Sequence, residues 1–408
     1  MPNYSIENLR VVLLTGPYGH NKSRETLAFC AQGRTVSMVE VTLGNGVTGL
    51  GEGYLGVFAP TLFAELVQFL QSRLLGKAAD DVGARVREMR QACDYWGIQG
   101  PMRHAIAAIE IALVDACAKT RGVPAYVWLG GARTEALPLY GSGGDATTPD
   151  AMLADIEAVA ELEIDVFKMR VSGGNGDVER TIWTLERGAD RGIRVAADMS
   201  QNLGQPPQTA ADALDYVTAV HAGTAHRLAF LEEAVGPFDL EGFRALRAAA
   251  ATRIAGGETI TSAEEMNQRI AAGVYDIAQP DASVMGLGSV AEVCAAARAH
   301  GCTAAVHAWG GPVGLMANYH IAFAAGGRLA EVPLLHYGLR DRMYVEPLQI
   351  KRGHLTPPLA PGFGVALDAG IEREFPFDPR AVYRTPGTLP PEDMTAWSAR
   401  TSQPDRVQ

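Results

Sequence analysis

Six polar residues recur along the second half of the chain at intervals of roughly one strand and one helix. They are Asp198, Glu232, Glu258, Asp281, His307 and Glu331. Each ends or follows a short apolar run that is typical of a buried strand. One such carboxylate alone could simply cap a helix. Six polar strand ends in register are better explained by a barrel of parallel strands, because the carboxyl ends of its strands meet at one mouth, where such enzymes keep their active sites.

Three of these residues, Asp198, Glu232 and Glu258, form an all-carboxylate set. Carboxylate oxygens suit Mg²⁺ or Mn²⁺, whereas zinc favours His and Cys ligands. Without a metal, three neighbouring carboxylates would repel one another and raise their pKa values. The alternative is a salt-bridged network, which would need three buried cations, and the sequence offers few at these strand ends. We therefore expect a magnesium or manganese site.

The segment "EIDVFKMRVSGG" carries two cations on one face of an otherwise apolar strand. Side chains alternate along a strand, so Lys168 and Arg170 point to the same side as Val166. One explanation is an edge strand with a solvated face, and the other is a strand whose polar face lines an active site. Two like charges so close together could also lower the pKa of Lys168.

The elements that position these residues fall into three zones. Residues 1–135 begin with strand-like runs, "RVVLLTG", "TVSMVEVTLGNG" and "TGLGEGY", and continue with helical periodicity. In "RHAIAAIEIALVDACAKTRG" the spacing of Ile106, Ile109 and Leu113 predicts a helix with one apolar face that ends at Gly122. Strands followed by helices predict a small α+β domain.

Residues 136–361 repeat a strand and a helix. The predicted strands are "ALPLYGS", "DVFKMRV", "RVAADM", "RLAFLEEA", "TRIAGGE", "YDIAQPD", "CTAAVHA" and "RLAEVP". Eight strands in roughly 200 residues predict a (β/α)8 barrel of the α/β class. A doubly wound sheet is disfavoured because "SGGNGD" does not match G-x-G-x-x-G. The Pro-rich residues 362–408 are expected to pack back on the first domain, with a disordered end.

Composition narrows the classes of partner. The formal net charge of −11 argues against nucleic acid and anionic membranes. An anionic substrate would therefore need a metal or local cations at its site. Five cysteines without a CxxC pair favour reduced thiols and a cytoplasmic protein. The start "MPNYSIENLR" does not resemble a signal peptide, and no run approaches the roughly 20 apolar residues of a membrane-spanning helix.

As a set, the motifs resemble the enolase superfamily, and within it the mandelate racemase-like branch of the mandelate racemase/muconate lactonizing enzyme family. "GLGEGY" resembles the capping-domain turn, and "AIAAIEIALVDACAKTRGVPAYVWLGG" the linker helix. "FKMR" is similar to the Lys-x-Lys strand, "ADMSQN", "LEEAVGP" and "AGGE" to the metal-ligand segments, and "QPDASVMGLG" and "AVHAW" to the Asp-His dyad. The match covers nearly the whole chain. It implies a TIM-type barrel with an α+β capping domain that the C-terminal segment completes.

The resemblance also implies a shared first chemical step. A carboxylate substrate binds Mg²⁺, with Mn²⁺ as an alternative, a base removes the proton α to the carboxylate, and the metal stabilises the enediolate. The implied metal ligands are Asp198, Glu232 and Glu258. His307, oriented by Asp281, would be an acid/base, and Glu331 would hydrogen-bond a carboxylate oxygen opposite the metal.

One position departs from the family pattern. Arg170 stands where the second lysine of Lys-x-Lys would act as a base, and a guanidinium with a pKa above about 12 is a poor base. Lys168 and Arg170 are therefore expected to bind an anionic substrate. Racemisation needs a base on each face of the α-carbon, whereas dehydration needs one base and one acid, and His307 can serve as both. This favours a sugar-acid dehydratase over a racemase, epimerase or cycloisomerase, with a metal-binding relative that has lost turnover as a third alternative.

Two loops of the capping domain are implied to close over the barrel mouth and to set specificity. By position they are "TGPYGHNKS" and "EGYLGVFAP", which makes His20 and Tyr54 candidate substrate contacts. Two barrel residues join them as candidates: Ser200, where relatives often have Asn, and Trp309, just past His307. Because members of this family usually assemble, we also expect a homo-oligomer, a dimer or an octamer.

Overall fold

The computed structural model describes residues 3–19, 33–144, 146, 148–204 and 206–384. An antiparallel sheet with helices comes first, and a closed barrel of eight parallel strands follows. This confirms the predicted fold class, a (β/α)8 TIM-type barrel with an N-terminal α+β capping domain. The domain boundaries proposed after residues 135 and 361 stay a prediction.

The capping sheet has the order β1-β2-β3 and is antiparallel throughout. Its strands are β1 (Ile6–Pro17), β2 (Gly33–Leu43) and β3 (Thr48–Glu52). They are followed by a 3-10 helix, Tyr54–Val57, and by α1 (Pro60–Gln71), α2 (Val82–Gln91) and α3 (Pro101–Arg121). Alternation along β2 sends Val36 and Met38 into the barrel-side core, and Val39 and Val41 into the core shared with α1 and α3.

Helix α3 links the two parts of the molecule. It ends before Gly122, as predicted, in a left-handed C-cap with φ 66°. The prediction of one apolar face was too narrow, because residues 105–118 are all buried. On one side β3 lies so close that a Cβ at Gly51 would overlap the carbonyl of Ala108. On the barrel side the Glu110 carboxylate accepts the N–H groups of Leu287, at 3.1 Å, and Gly288, at 2.9 Å.

Every one of the eight predicted strand segments contains a barrel strand. The strands are β4 (Leu137–Ser142), β5 (Val166–Arg170), β6 (Arg194–Asp198), β7 (Leu231–Glu232), β8 (Ile254–Gly256), β9 (Ile277–Ala278), β10 (Thr303–Val306) and β11 (Leu329–Pro333). The helices are α4 (Ala125–Trp128), α5 (Pro149–Glu161), α6 (Asn175–Ala189), α7 (Ala210–Gly223), α8 (Leu240–Ala249), α9 (Ala263–Ala271), α10 (Ala282–Met285), α11 (Leu287–Ala299) and α12 (Pro312–Ala325). Neighbouring strands are parallel, and β11 pairs with β4 to close the barrel.

The C-terminal segment returns to the capping sheet. Before it, α13 (Gly338–Met343) follows the barrel, and β12 (Ile350–Lys351) and β13 (His354–Leu355) extend the barrel sheet beside β4. The segment itself contains α14 (Ala369–Glu374) and a 3-10 helix, Pro379–Ala381. Arg10 of β1 pairs with Glu372 at 2.8 Å, and the N–H of Thr15 donates to the Phe375 carbonyl at 3.2 Å. The expected disorder at the chain end concerns residues 385–408, which lie outside the described residues.

In the described part of the chain, no helix is long and apolar enough to cross a membrane. Four cysteines, Cys93, Cys117, Cys294 and Cys302, are buried free thiols, and Cys30 lies outside the described residues. The cytoplasmic location and the homo-oligomeric assembly stay predictions.

Candidate active site

Strand register brings the polar strand ends together. Asp198 and Glu232 are paired positions at the ends of β6 and β7, so their side chains are neighbours. Glu258 follows β8 by two residues. The backbone just after the first two carboxylates is left-handed at non-glycine residues, with φ 47° at Ser200 and φ 44° at Glu233. Such strained conformations cluster at functional sites, because the surrounding structure must hold them in place.

Lys168 lies at the centre of the cluster. It is 1% exposed, and its Nζ contacts Glu232 and lies 3.5 Å from Asp198 Oδ2 and 3.2 Å from Glu331 Oε1. β5 is therefore an internal strand with its polar face in the barrel, not an edge strand. The expectation that Arg170 lowers the pKa of Lys168 is wrong. Burial would lower this pKa, but the surrounding carboxylates raise it well above its usual value.

Arg170 lies nearer the rim of the mouth, with a side chain 30% exposed. Its Nη1 donates to Asp198 Oδ2 and to Ser200 Oγ, each at 3.0 Å. Its guanidinium carbon lies 5.0 Å from the ring centroid of half-buried Trp309. Arg170, Ser200 and Trp309 thus form one contact group above the first carboxylate. Their roles in substrate binding stay a prediction.

His307 and Asp281 form a buried pair. Nδ1 of His307 lies 2.7 Å from Asp281 Oδ2. The other ring nitrogen, Nε2, faces the cluster, 3.4 Å from Glu258 Oε2 and 3.8 Å from Glu331 Oε2. Burial alone would lower the pKa of His307, but Glu258, Asp281 and Glu331 together raise it to about 9. The geometry is that of an acid/base whose free nitrogen points into the mouth.

Further side chains fix the orientation of Asp281. Oδ1 of Asp281 accepts hydrogen bonds from Ser283 N and Ser283 Oγ, each at 2.7 Å, and from Asn318 Nδ2 at 2.8 Å. Oδ1 is thereby occupied, and Oδ2 is left for His307. Burial would raise the pKa of Asp281, but the bonds from His307, Asn318 and Ser283 keep it below its usual value. Asn318 was not among the residues predicted from the sequence.

Glu52 of β3 clamps the capping domain to the barrel. Its buried carboxylate accepts the N–H groups of Gly311 at 2.7 Å, Val313 at 3.1 Å and Gly314 at 2.9 Å, at the start of α12. A carboxylate at a helix N-terminus is well placed, because the free N–H groups there carry partial positive charge. The clamp holds the adjacent 3-10 helix over the mouth, where the Tyr54 ring meets the His307 ring edge-on at 5.8 Å.

The oxygen atoms of Asp198, Glu232 and Glu258 are suitable ligands for a divalent cation. In the structure, however, these carboxylates contact other side chains. Among the residues that the structure describes, no group of three or more His, Cys, Asp or Glu side chains is arranged to hold a metal ion. The Lys168 ammonium stands between Asp198 and Glu232, and Glu258 accepts from Asn202 Nδ2 at 2.7 Å. The alternative of a salt-bridged carboxylate network is thus partly present, with Lys168 as its buried cation.

The charge balance of the cluster nevertheless leaves room for a further cation. Burial raises the pKa of Glu232, Lys168 lowers it, and Asp198, Glu331 and Glu258 raise it again. The net effect raises the pKa of Glu232 to about 8, so near neutrality this carboxyl holds a proton that a divalent cation would replace. In formal charge, the four carboxyl groups of the cluster outnumber its two cations, Lys168 and Arg170. An all-oxygen set with surplus charge fits Mg²⁺. The assignment of these three ligands stays a prediction.

His20, the other predicted loop contact, lies outside the described residues. Two further buried residues inside the barrel, Gln279 and Tyr140, were not predicted. The Gln279 amide donates to Glu232 Oε2 at 2.6 Å and to the Tyr140 hydroxyl at 3.3 Å. "QPD" places Gln279 two residues before Asp281. Strand alternation, which puts residues two apart on one face, was a signal that could have identified Gln279.

Comparison with known proteins agrees with this architecture. Residues 22–130 match the family described as mandelate racemase / muconate lactonizing enzyme, N-terminal domain, and residues 151–371 match the family described as enolase C-terminal domain-like. The D-galactonate dehydratase of Ralstonia pickettii (strain 12J) is 30% identical over 349 residues, which cover 82% of this chain and 89% of that protein. The D-galactarolactone cycloisomerase of Agrobacterium fabrum (strain C58 / ATCC 33970) is 26% identical over 354 residues, 83% of this chain and 90% of that protein.

The fold is also that of solved structures. The crystal structure of an L-talarate/galactarate dehydratase mutant, liganded with Mg and L-glucarate, has a TM-score of 0.77 and 24% identity, and the match covers 91% of this chain and 92% of that one. At this identity the likeness concerns the fold alone. The two family matches together span most of the capping domain and the barrel. The chain therefore belongs to the mandelate racemase/muconate lactonizing enzyme family of the enolase superfamily, in its mandelate racemase-like branch.

Proposed function

We propose that this protein is a Mg²⁺-dependent sugar-acid dehydratase, a hydro-lyase that removes the proton α to a carboxylate and then eliminates water from an aldonic or aldaric acid. The observation that carries the proposal is an asymmetry of the mouth. On one side of Glu331 lies His307, oriented by Asp281, and on the other lies Lys168, with Arg170 in the position of the family's second lysine. One acid/base is enough for dehydration, whereas racemisation by two opposed bases is not. The relatives named as dehydratases support the same choice.

Substrate binding falls to the two cations and the carboxylate cluster. Asp198, Glu232 and Glu258 would hold the metal ion. When bound, Mg²⁺ supplies a Lewis acid that offsets negative charge developing on the substrate carboxylate. Lys168 and Arg170 would attract and orient that carboxylate, which explains how a protein of net charge −11 binds an anion.

Proton transfer falls to His307. In the first step the C2–H bond breaks, the proton goes to Nε2, and the electron pair delocalises into the carboxylate as an enediolate. In the second step that pair forms the C2–C3 double bond and the C3–O bond breaks. Nε2 then returns its proton to the departing hydroxyl, which leaves as water. The enol then tautomerises: it takes up a proton at C3 and releases the proton of its C2 hydroxyl, which gives a 2-keto-3-deoxy acid.

His307 can accept the C2 proton only when its imidazole is neutral, so its protonation state decides whether the first step can occur. With a pKa of about 9, the imidazole carries a proton near neutrality while the Glu258 and Glu331 carboxylates face its Nε2. It becomes a base only when other groups engage those carboxylates, that is, in the loaded site. Asp281 accepts from Nδ1 and stabilises the imidazolium between the two steps.

A racemase, epimerase or cycloisomerase acting through the same enediolate is the second candidate, and the cycloisomerase relative favours it. It would require Lys168 or Arg170 to move protons on the second face. A metal-binding relative without turnover is the third candidate. The 2.7 Å contact between His307 and Asp281 argues against it, because a binding module needs no oriented acid/base.

Proton NMR in D₂O with Mg²⁺ and a panel of aldonic and aldaric acids separates these candidates in one experiment. A dehydratase removes the C2 proton and produces a C3 methylene that carries one deuterium. Exchange at C2 with every hydroxyl retained would instead establish a racemase or epimerase. The absence of both changes across the panel would contradict the proposed enediolate chemistry.

A further inference from the structure

A buried arginine of the capping domain beside the proposed active site, Arg34, has two side-chain nitrogens without a hydrogen-bond acceptor in the described ranges. Arg34, near the start of β2, is 2% exposed. Its Nε and Nη2 atoms are buried and have no hydrogen-bond acceptor among the described residues. The carboxylate that balances its charge most directly is Glu52. Both oxygens of Glu52 are already engaged by the N–H groups of Gly311, Val313 and Gly314.

This situation is costly for folding. A buried guanidinium cannot lose its proton, so the cost of removing it from water must be offset by partners. Buried polar atoms in native proteins nearly always have a hydrogen-bond partner, and an exception calls for an explanation. An anionic ligand is one explanation. The planar fork of arginine matches a carboxylate, which it binds through two parallel hydrogen bonds.

The position of Arg34 points to the same ligand that His307 would act on. Val36 and Met38 on the same face of β2 pack against the barrel, so Arg34 also points that way. Its guanidinium carbon lies 5.2 Å from the ring centroid of Tyr54 and 5.7 Å from that of Tyr383. Tyr54 in turn lies 5.8 Å from His307. A single aromatic ring therefore separates the arginine from the acid/base.

We propose that Arg34 binds the distal carboxylate of the substrate, and that the substrate is therefore an aldaric acid, a sugar acid with a carboxylate at each end. The inference rests on the proposed function, since it places the first carboxylate beside Lys168. Tyr54 lines the carbon chain between the two ends. An aldonic acid ends in a neutral hydroxymethyl group and leaves the guanidinium without a counter-ion. A site built around buried polar groups rejects such a ligand strongly.

The competing explanation is structural. Two aromatic faces near a guanidinium also stabilise it by cation–π attraction. In that case Arg34 would hold the tyrosines together and would not distinguish one acid from another. The two explanations differ in whether the ratio of activities toward matched acids depends on Arg34.

The test compares an aldaric acid with the aldonic acid of the same configuration, which differ only at the terminal carbon. We expect the Mg²⁺-loaded wild-type protein to favour the diacid by at least about 100-fold in kcat/KM. Arg34→Gln should abolish this preference, because it should lower kcat/KM for the diacid far more than for the aldonic acid. Arg34→Lys should fall between them, because it keeps the charge and loses the fork.

A second measurement covers the case in which Arg34→Gln fails to fold. Calorimetry of both acids binding to the His307→Asn variant, which retains Arg34, should show tighter binding of the diacid. Equal discrimination by wild type and Arg34→Gln, or equal binding of the two acids, would overturn the inference and leave the dehydratase proposal standing. If neither acid reacts, the proposed function fails, and calorimetry alone decides the role of Arg34.

Discussion

The two ends of the barrel carry charge in opposite ways. The amino end holds a cavity of about 430 Å³ lined by four exposed arginines and two acidic residues. These are Arg194, Arg253, Arg328, Arg352, Glu163 and Asp165. At the carboxyl end the charged side chains are buried, and Lys168, Glu232 and Glu331 are each at most 1% exposed. The buried charge of the candidate active site thus lies at the opposite end of the barrel from this cavity.

The contrast follows from the cost of removing charge from water. Arg194 and Asp165 pair at 2.8 Å, but their side chains are 61% and 68% exposed. Such a pair contributes only about 0–1 kcal/mol to stability. Burying several carboxylates around one lysine is unfavourable unless each partner is satisfied. Charge that persists in a costly position is a candidate for function, and we expect the exposed charge at the amino end to be dispensable for activity.

The largest effect should come from His307→Asn, which removes the acid/base and keeps a polar side chain beside Asp281. We expect kcat to fall by about 10²–10⁴-fold, because general acid–base catalysis contributes that much. Product NMR measures the loss. Mg²⁺ should still raise the melting temperature of this variant, since the proposed ligands are intact. Full activity would transfer the role of base to Lys168.

Glu232→Gln should impair activity by removing one of the proposed metal ligands at the carboxyl end of the barrel. Loss of an outer partner of a metal ligand typically costs about 10–100-fold in affinity or activity, so loss of a ligand should reduce kcat/KM by more than about 100-fold. Calorimetric titration with Mg²⁺ should show weakened binding. Asp165→Asn is the matched control at the amino end and should leave both quantities unchanged. Undiminished Mg²⁺ binding by Glu232→Gln would remove that residue from the ligand set.

Asn318→Ala should act on the dyad without touching the metal ligands. Oδ1 of Asp281 loses one of its donors, so His307 is held less firmly. We expect kcat to fall by about 10–100-fold, with KM and Mg²⁺ affinity nearly unchanged. The pKa of His307 in the pH–rate profile should also decrease. A lower melting temperature with an unaltered pH profile would indicate that Asn318 only packs.

His320 offers a third kind of buried group, one that is kept neutral. It is fully buried in α12, and burial lowers its pKa to about 3. The unfolded chain binds a proton below pH 6.5, so the stability that neutral His320 contributes is present above that value and is lost as the pH falls toward 3.

At pH 4.5 the loss should be roughly 2–3 kcal/mol. His320→Gln does not titrate, and its amide oxygen can still accept the Tyr126 N–H that His320 Nδ1 accepts at 3.1 Å. Urea unfolding should therefore show a weaker dependence on pH between 7 and 4.5 for His320→Gln than for wild type. An identical dependence would show that His320 is not the group responsible.

The smallest effect is expected at the amino end. The double variant Arg253→Gln, Arg328→Gln removes two exposed charges from the cavity there. Each surface substitution should change the free energy of unfolding by no more than about 0.5 kcal/mol, and kcat/KM should stay at the wild-type value. Urea unfolding and the NMR assay check both. A tenfold loss of activity would mean that the amino end takes part in catalysis after all.

The barrel and the polar strand ends could be predicted because both are local patterns. Strand and helix periodicity repeat with each βα unit. Once neighbouring strands pair in parallel, their register places Asp198 beside Glu232 without any further information. The pKa of Lys168 could not be predicted in this way. The sequence shows Arg170 two residues away, but not that Glu232 and Glu331 lie nearer in space.

The Glu52 clamp and the surroundings of Arg34 both depend on contacts between distant segments. Glu52 binds Gly311 across 259 residues of chain, and Asn318 reaches Asp281 from α12, 37 residues further along the chain. No periodicity marks such pairs. Arg34 alternates with apolar neighbours on a strand, and only the packed structure shows that Tyr54 and Tyr383 enclose it.

The central claim is that the carboxyl end of the barrel binds a divalent metal ion, and anomalous diffraction from crystals of the full chain grown with Mn²⁺ tests it most directly. Mn²⁺ prefers the same oxygen ligands as Mg²⁺ and scatters anomalously. We predict one strong peak bounded by Asp198, Glu232 and Glu258, with the Lys168 ammonium displaced from between the first two. A map without density there, or with Mn²⁺ only at the surface or the amino end, would contradict the claim.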